Sequence, residues 1–195
     1  MKRIKAMNTV FMKTPFVLAS IFLSSIFFTP NQSADTNHSF TLVKEPGPVG
    51  SIQILIDKSD YELKIFDSLG WYGTYPVVFG NNSLADKKME GDRNTPEGTF
   101  KIVNKRVHNK WHRFISIDYP NKESWEKFKH RKERGEIPAA ARIGGGIGIH
   151  GTWPHEDFQI ERYSNWTLGC ISMKNEDVEE IFRYISNGTK VTIRR

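Results

Sequence analysis

From residue 51 onward, apolar side chains recur at every second position in short runs, a period that strands satisfy and helices do not. Ile52, Ile54 and Ile56 alternate with Gln53, Leu55 and Asp57, and Tyr61, Leu63 and Ile65 alternate with Glu62, Lys64 and Phe66. Joined by Lys58-Ser59-Asp60, the two runs read as a hairpin. Residues 71–79 form a third run, in which Pro76 predicts an edge position or a bulge, because proline cannot donate to a ladder. Residues 99–103, 114–118, 147–150, 170–173 and 190–193 continue the series. About eight short strands predict a mainly β (α+β) fold, a β-sandwich or barrel.

Two helices are expected within it. Val178, Ile181, Phe182 and Ile185 fall at helical spacing, with Asn175 as the expected N-cap and Gly188 as the stop. The other, over residues 121–135, carries dense charge of both signs and only Trp125 and Phe128 as apolar anchors. It reads as an inserted, largely exposed helix, with a lid or substrate wall as the functional alternative.

The N-terminal region has a different character. Lys2, Arg3, Lys5 and Lys13 precede an apolar stretch over residues 16–28, and residues 1–30 contain no acid. Thirteen apolar residues are short for a span of about 20 and suit a secretory signal. Residues 1–30 are therefore expected to be a signal peptide or an N-terminal membrane anchor. Residues 31–50, polar and then Pro/Gly-rich, are a linker, and 51–195 the folded domain. The expected location is outside the cytoplasm, in the periplasm or cell envelope. Without the four cations of the tail the net charge falls from +6 to +2, which removes the argument for nucleic acid as a partner.

The chemistry concentrates between residues 142 and 173. The single cysteine, Cys170, follows Gly169 at a strand start, and His150 precedes Gly151 at a strand end. A thiol is a good nucleophile as thiolate, and a neighbouring imidazole can take its proton. Glycines beside both residues permit close approach of a substrate backbone and expose N–H donors for an oxyanion. An unrelated buried cysteine and histidine remain the alternative at this level. Gly146-x-Gly148-x-x-Gly151 matches dinucleotide-binding spacing, but Trp153-Pro154 follows where a helix should open. His150, His155 and Cys170 lack metal-site spacing. No metal or cofactor is expected.

Several segments in order resemble the L,D-transpeptidase (YkuD domain) family of bacterial cell-wall enzymes. They are Ile54-Leu55-Ile56-Asp57 with its hairpin, Tyr75-Pro76-Val77-Val78-Phe79-Gly80, Gly91-Asp92-Arg93-Asn94-Thr95-Pro96-Glu97-Gly98-Thr99-Phe100, Ile149-His150-Gly151-Thr152, and Thr167-Leu168-Gly169-Cys170-Ile171-Ser172-Met173. Glu90-Gly91-Asp92 and Tyr119-Pro120-Asn121 look closer to the branch containing a peptidoglycan–lipoprotein amidase. The resemblance implies Cys170 as nucleophile, His150 as base and then acid, the Gly151 carbonyl orienting the imidazole, and backbone N–H groups near Gly169 and Cys170 holding the oxyanion. Thr152, Thr167, Arg142 and Ser172 are the expected substrate-binding residues. The family often has histidine where this chain has Leu168, and arginine where it has Ser172. Arg142, Arg162 or Lys174 are the candidates to replace that arginine.

The implied substrate is the peptidoglycan stem peptide. Cys170 would form a thioester with the carbonyl of its third residue and pass it to an amine from a second stem or a lipoprotein. The alternatives are hydrolysis of the same stems, as L,D-carboxypeptidase or peptidoglycan–lipoprotein amidase, and an inactive wall-binding module.

Overall fold

Residues 47–195 are described by the computed structural model, and the expected signal or anchor and nearly all of the linker lie outside the described residues. Eight strands close into a barrel: β1 (Gln53–Asp57), β2 (Glu62–Asp67), β3 (Gly70–Val78), β4 (Gly98–His108), β5 (His112–Ile117), β6 (Gly148–His150), β7 (Ile171–Met173) and β8 (Lys190–Arg194). Their order around the barrel is β1-β2-β3-β7-β6-β5-β4-β8, so the first and last strands are neighbours. Two pairings are parallel, β1 with β8 and β6 with β7.

The period-two pattern decides which face is buried. Ile54 and Ile56 of β1, Leu63 and Ile65 of β2, Ile149 of β6, and Ile171 and Met173 of β7 all join one core. Closure removes the exposed sheet edges that a sandwich leaves. One stretch of β3 stays unpaired on one side, at Pro76. The Val77 N–H donates to Tyr61 O at 2.9 Å, so the nitrogen of Pro76 faces the opposite side. There β7 registers only with Val77 and Val78. The missing donor thus falls at an edge position, as expected, and the bulge lies elsewhere in β3, at Tyr72, which the pairing of Ile65 with Gly73 and Phe66 with Trp71 skips.

Helix α1 (Lys122–Glu133) is the charged insertion, capped by the Asn121 side chain on the Ser124 N–H. Phe128 is buried, but Trp125 is 52% exposed and does not act as the expected anchor. Arg131 ties the helix back to Asp86 and to the Lys87 carbonyl, both at 2.6 Å. A short helix that the sequence pattern did not reveal, α2 (Phe158–Glu161), precedes α3 (Asn175–Tyr184).

The ends of α3 differ from expectation. Lys174, not Asn175, is the N-cap, and its side chain makes no capping bond. The cap comes from elsewhere in the chain: Asp157 Oδ1 accepts from the Asn175 N–H at 3.1 Å. The helix stops at Tyr184, before Gly188, whose φ of +90° belongs to the turn into β8. Val178, Ile181 and Ile185 face the core as their spacing implies.

Candidate active site

Strands β6 and β7 run parallel with Ile149 opposite Ile171 and His150 opposite Ser172. Ile149 and Ile171 point into the core, so by alternation His150, Ser172 and Cys170 share the opposite face. Cys170, immediately before β7, is the diagonal neighbour of His150 across the pair. Level with Cys170 on β6, two residues before His150, stands Gly148, whose missing side chain is needed. A Cβ there would lie 2.6 Å from the Ile115 carbonyl and 2.7 Å from the Phe114 ring.

His150 is 1% exposed and walled by aromatic rings. Trp111 stacks on it at 4.7 Å between centroids, Phe114 at 5.7 Å, and Trp166 meets it edgewise at 5.5 Å. His150 Nδ1 lies 2.7 Å from the Gly151 carbonyl. A carbonyl only accepts, so Nδ1 carries the proton and Nε2 keeps its lone pair. Burial outweighs this hydrogen bond and lowers the imidazole pKa to about 4. The ring is neutral at neutral pH.

The Gly151 turn is fixed from three sides. Its N–H reaches the Trp111 carbonyl at 3.1 Å, at the tip of the β4–β5 hairpin. The Ser172 hydroxyl donates to its carbonyl at 3.4 Å. A Cβ on Gly151 would fall 2.2 Å from Asn175 Oδ1, in the first turn of α3.

The thiol of Cys170 is partly exposed. Its sulfur lies 3.6 Å from the Gly146 carbonyl. Desolvation pushes the thiol pKa up, and a hydrogen bond from the Gly148 N–H and the charge of Lys87 pull it partly back. The resting thiol and imidazole are both neutral and form no ion pair.

The remaining expected site residues are placed as follows. The Gly169 N–H is engaged by Thr167 Oγ1 at 3.1 Å, and that hydroxyl donates to the Cys170 carbonyl at 2.8 Å. Thr167 therefore shapes the turn, and the Gly169 donor is not offered to solvent. Thr152 is buried, donating to Asp157 at 2.5 Å and accepting from Asn175 at 3.0 Å. Ser172 is fully buried. The hydroxyls of Thr152, Thr167 and Ser172 are thus all engaged within the protein. Arg142 is 81% exposed and paired with Glu90 at 2.9 Å. Lys174 pairs with Glu161 at 2.9 Å, and Arg162 lies over the Phe158 ring at 5.4 Å.

Sequence reasoning missed the aromatic wall, because Trp111, Phe114 and Trp166 come from three separate segments. The only local signal was the alternation that puts Phe114 opposite His150. A cavity of about 420 Å³ is lined by Lys87, Glu90, Arg93, Gly144, Ile147 and Leu168 among others. Among the described residues, no three His, Cys, Asp or Glu side chains converge as a metal site would require.

Comparison with known proteins bears on this arrangement. The family description of the L,D-transpeptidase catalytic domain (YkuD) matches residues 51–193. A Bacillus subtilis (strain 168) protein, YqjB, whose name places it among the L,D-transpeptidases, is 30% identical over 149 residues, covering 74% of this chain and 72% of its own. The helical cell shape determining protein Pgp2 from Campylobacter jejuni is similar with a TM-score of 0.55 and 23% identity over 74% of this chain. An L,D-transpeptidase from Mycobacterium smegmatis gives 0.50 and 11% over the same share. The match spans 48% and 59% of those two solved chains, and at such identities it shows the fold alone.

Proposed function

The chain belongs to the L,D-transpeptidase catalytic-domain family, and from that premise we propose that it is an exported cell-wall cysteine acyltransferase acting on peptidoglycan stem peptides. The observation that carries this reading is the fixed tautomer of His150. Its Nδ1 is committed to the Gly151 carbonyl, which leaves Nε2 as a base on the face that bears Cys170.

In the proposed reaction, Nε2 takes the thiol proton as Sγ attacks the carbonyl of the stem's third residue. The new S–C bond forms a tetrahedral intermediate whose oxyanion is met by the backbone N–H of Cys170, since that of Gly169 is held by Thr167. The C–N bond to the terminal residue then breaks, and the proton on His150 passes to the leaving amine. The thioester is resolved by an amine of a second stem or of a lipoprotein, or by water. The aromatic wall keeps the imidazole neutral between these steps, and Ser172 braces the carbonyl that orients it.

Tetrapeptide muropeptides incubated with the full chain and with Cys170→Ala, with products read by mass, test the proposal. Cysteine-dependent dimers identify a transpeptidase, and tripeptides a carboxypeptidase. Products that persist in Cys170→Ala reject the nucleophile. His150→Ala is expected to fold, by circular dichroism, and to lose roughly 10²–10⁴-fold in rate.

A further inference from the structure

Residues 87–94 form a loop organised around one carboxylate. Asp92 Oδ1 accepts from Lys87 Nζ at 2.8 Å and the Asn94 N–H at 3.0 Å. Its Oδ2 accepts from the N–H groups of Lys88 at 2.6 Å and Met89 at 3.0 Å. Next to it Arg93 adopts φ +59°, in the left-handed region. For a residue with a side chain, that conformation costs about 1–2 kcal/mol and persists only where the surroundings impose it. What it achieves here is direction: the side chain crosses to the nucleophile turn, where Arg93 Nε donates to the Thr167 carbonyl at 3.2 Å.

The other charges around the cavity are already matched. Lys87 is paired with Asp92 at 2.8 Å, and Glu90 with Arg142 at 2.9 Å. Among the described residues, Arg93 is the cation lining this cavity with no carboxylate within ion-pair distance. Its Nε is spent on Thr167, which fixes the plane of the guanidinium and leaves the terminal N–H groups to bind. A planar fork of that kind suits a carboxylate, with two parallel hydrogen bonds. The cavity runs from Arg93 to Ile147 and Leu168, and the turn before Cys170 packs on its wall: a Cβ on Gly169 would fall 2.8 Å from the Asn94 carbonyl and 3.2 Å from Ile147 Cδ1.

We propose that Arg93 forms a carboxylate-binding subsite beside the Cys170 thiol and selects acyl substrates that carry a free carboxylate near the reacting carbonyl. Naming that carboxylate as one of the stem peptide's rests on the function proposed above; the subsite itself does not. Ser172 is fully buried and Arg142 is tied to Glu90, so neither performs this role.

The test alkylates Cys170 in the full chain with iodoacetate, which carries a carboxylate, and with iodoacetamide, its neutral analogue. Rates are normalised to a free thiol. In the wild type the iodoacetate-to-iodoacetamide ratio should exceed that of Arg93→Ala by threefold or more, with Arg93→Lys between them. An unchanged iodoacetamide rate shows that the thiol turn is intact in the variants. An unchanged ratio in Arg93→Ala overturns the proposal, as does a fall that appears in Arg142→Ala instead. A second readout compares tetrapeptide stems ending in a free acid or an amide. Arg93→Ala should raise KM for the acid at least tenfold and leave the amide within twofold. If the alkylation ratio falls but no stem is turned over, the subsite stands and the stem reading fails.

Discussion

At the scale of single residues, protonation distinguishes this site from a cysteine–histidine ion pair. An ion pair would give a reactive thiolate at neutral pH, whereas here burial raises the Cys170 pKa and lowers that of His150 to about 4. Alkylation of Cys170 by iodoacetamide is therefore expected to keep rising with pH above neutrality, without a plateau between pH 5 and 8. A plateau there would show a preformed thiolate. The imidazole also links stability to pH. Its pKa falls from 6.5 in the unfolded chain to about 4 in the folded one, so the unfolded state binds more protons between those values. Stability from this group is complete above about 6.5 and is lost as pH falls toward 4, by on the order of 3 kcal/mol. Asp177, raised by burial to about 6, acts in the opposite sense over much of that range. The contribution of His150 is thus read as a difference. Moving from pH 7 to pH 4.5 should lower the urea midpoint of the wild type more than that of His150→Gln. Equal shifts would show that the histidine is not held neutral.

At the scale of elements, the sequence made the strands and two of the three helices legible because periodicity is a local signal. It did not make their ends legible. Asn175 has the chemistry of an N-cap, but its side chain is used on Thr152, and the carboxylate that caps α3 comes from Asp157, eighteen residues away. Asp157→Ala removes that acceptor and the partner of the buried Thr152 hydroxyl together. It should cost about 1–2 kcal/mol, measured as a fall in urea midpoint with unchanged slope. The same limit applies to the candidate site. Cys170 and His150 stood out as residue types beside glycines, whereas Thr152, Thr167 and Ser172 look like substrate contacts in sequence. Their burial depends on long-range packing that no local pattern encodes. Arg93 was visible within a motif, but its direction depends on a left-handed backbone that few residues other than glycine signal.

At the scale of the whole molecule, a buried cation joins the barrel to the loop beside the cavity. Lys58 lies in the turn that joins β1 and β2. Its side chain is 1% exposed, with Nζ 2.7 Å from Glu97, 3.1 Å from the Ala85 carbonyl and 3.3 Å from the Thr95 carbonyl. Desolvation lowers its pKa against the pull of Glu97. Lys58→Ala leaves the two carbonyls and Glu97 without their donor and should destabilise the fold by roughly 3–5 kcal/mol. Lys58→Met, which keeps the volume, should cost less. If thermal unfolding shows both variants near the wild type, the lysine is not a structural tie. The closure of the barrel has a consequence in time. β8 lies between β1 and β4, and Arg194 binds Asp57 across 137 positions at 2.9 Å. Contacts so distant along the chain form late, since a long loop must close before they are rewarded. A chain emerging from its N-terminus must therefore wait for its final strand before the barrel can shut, and until then β1 has no β8 to hold its outer side.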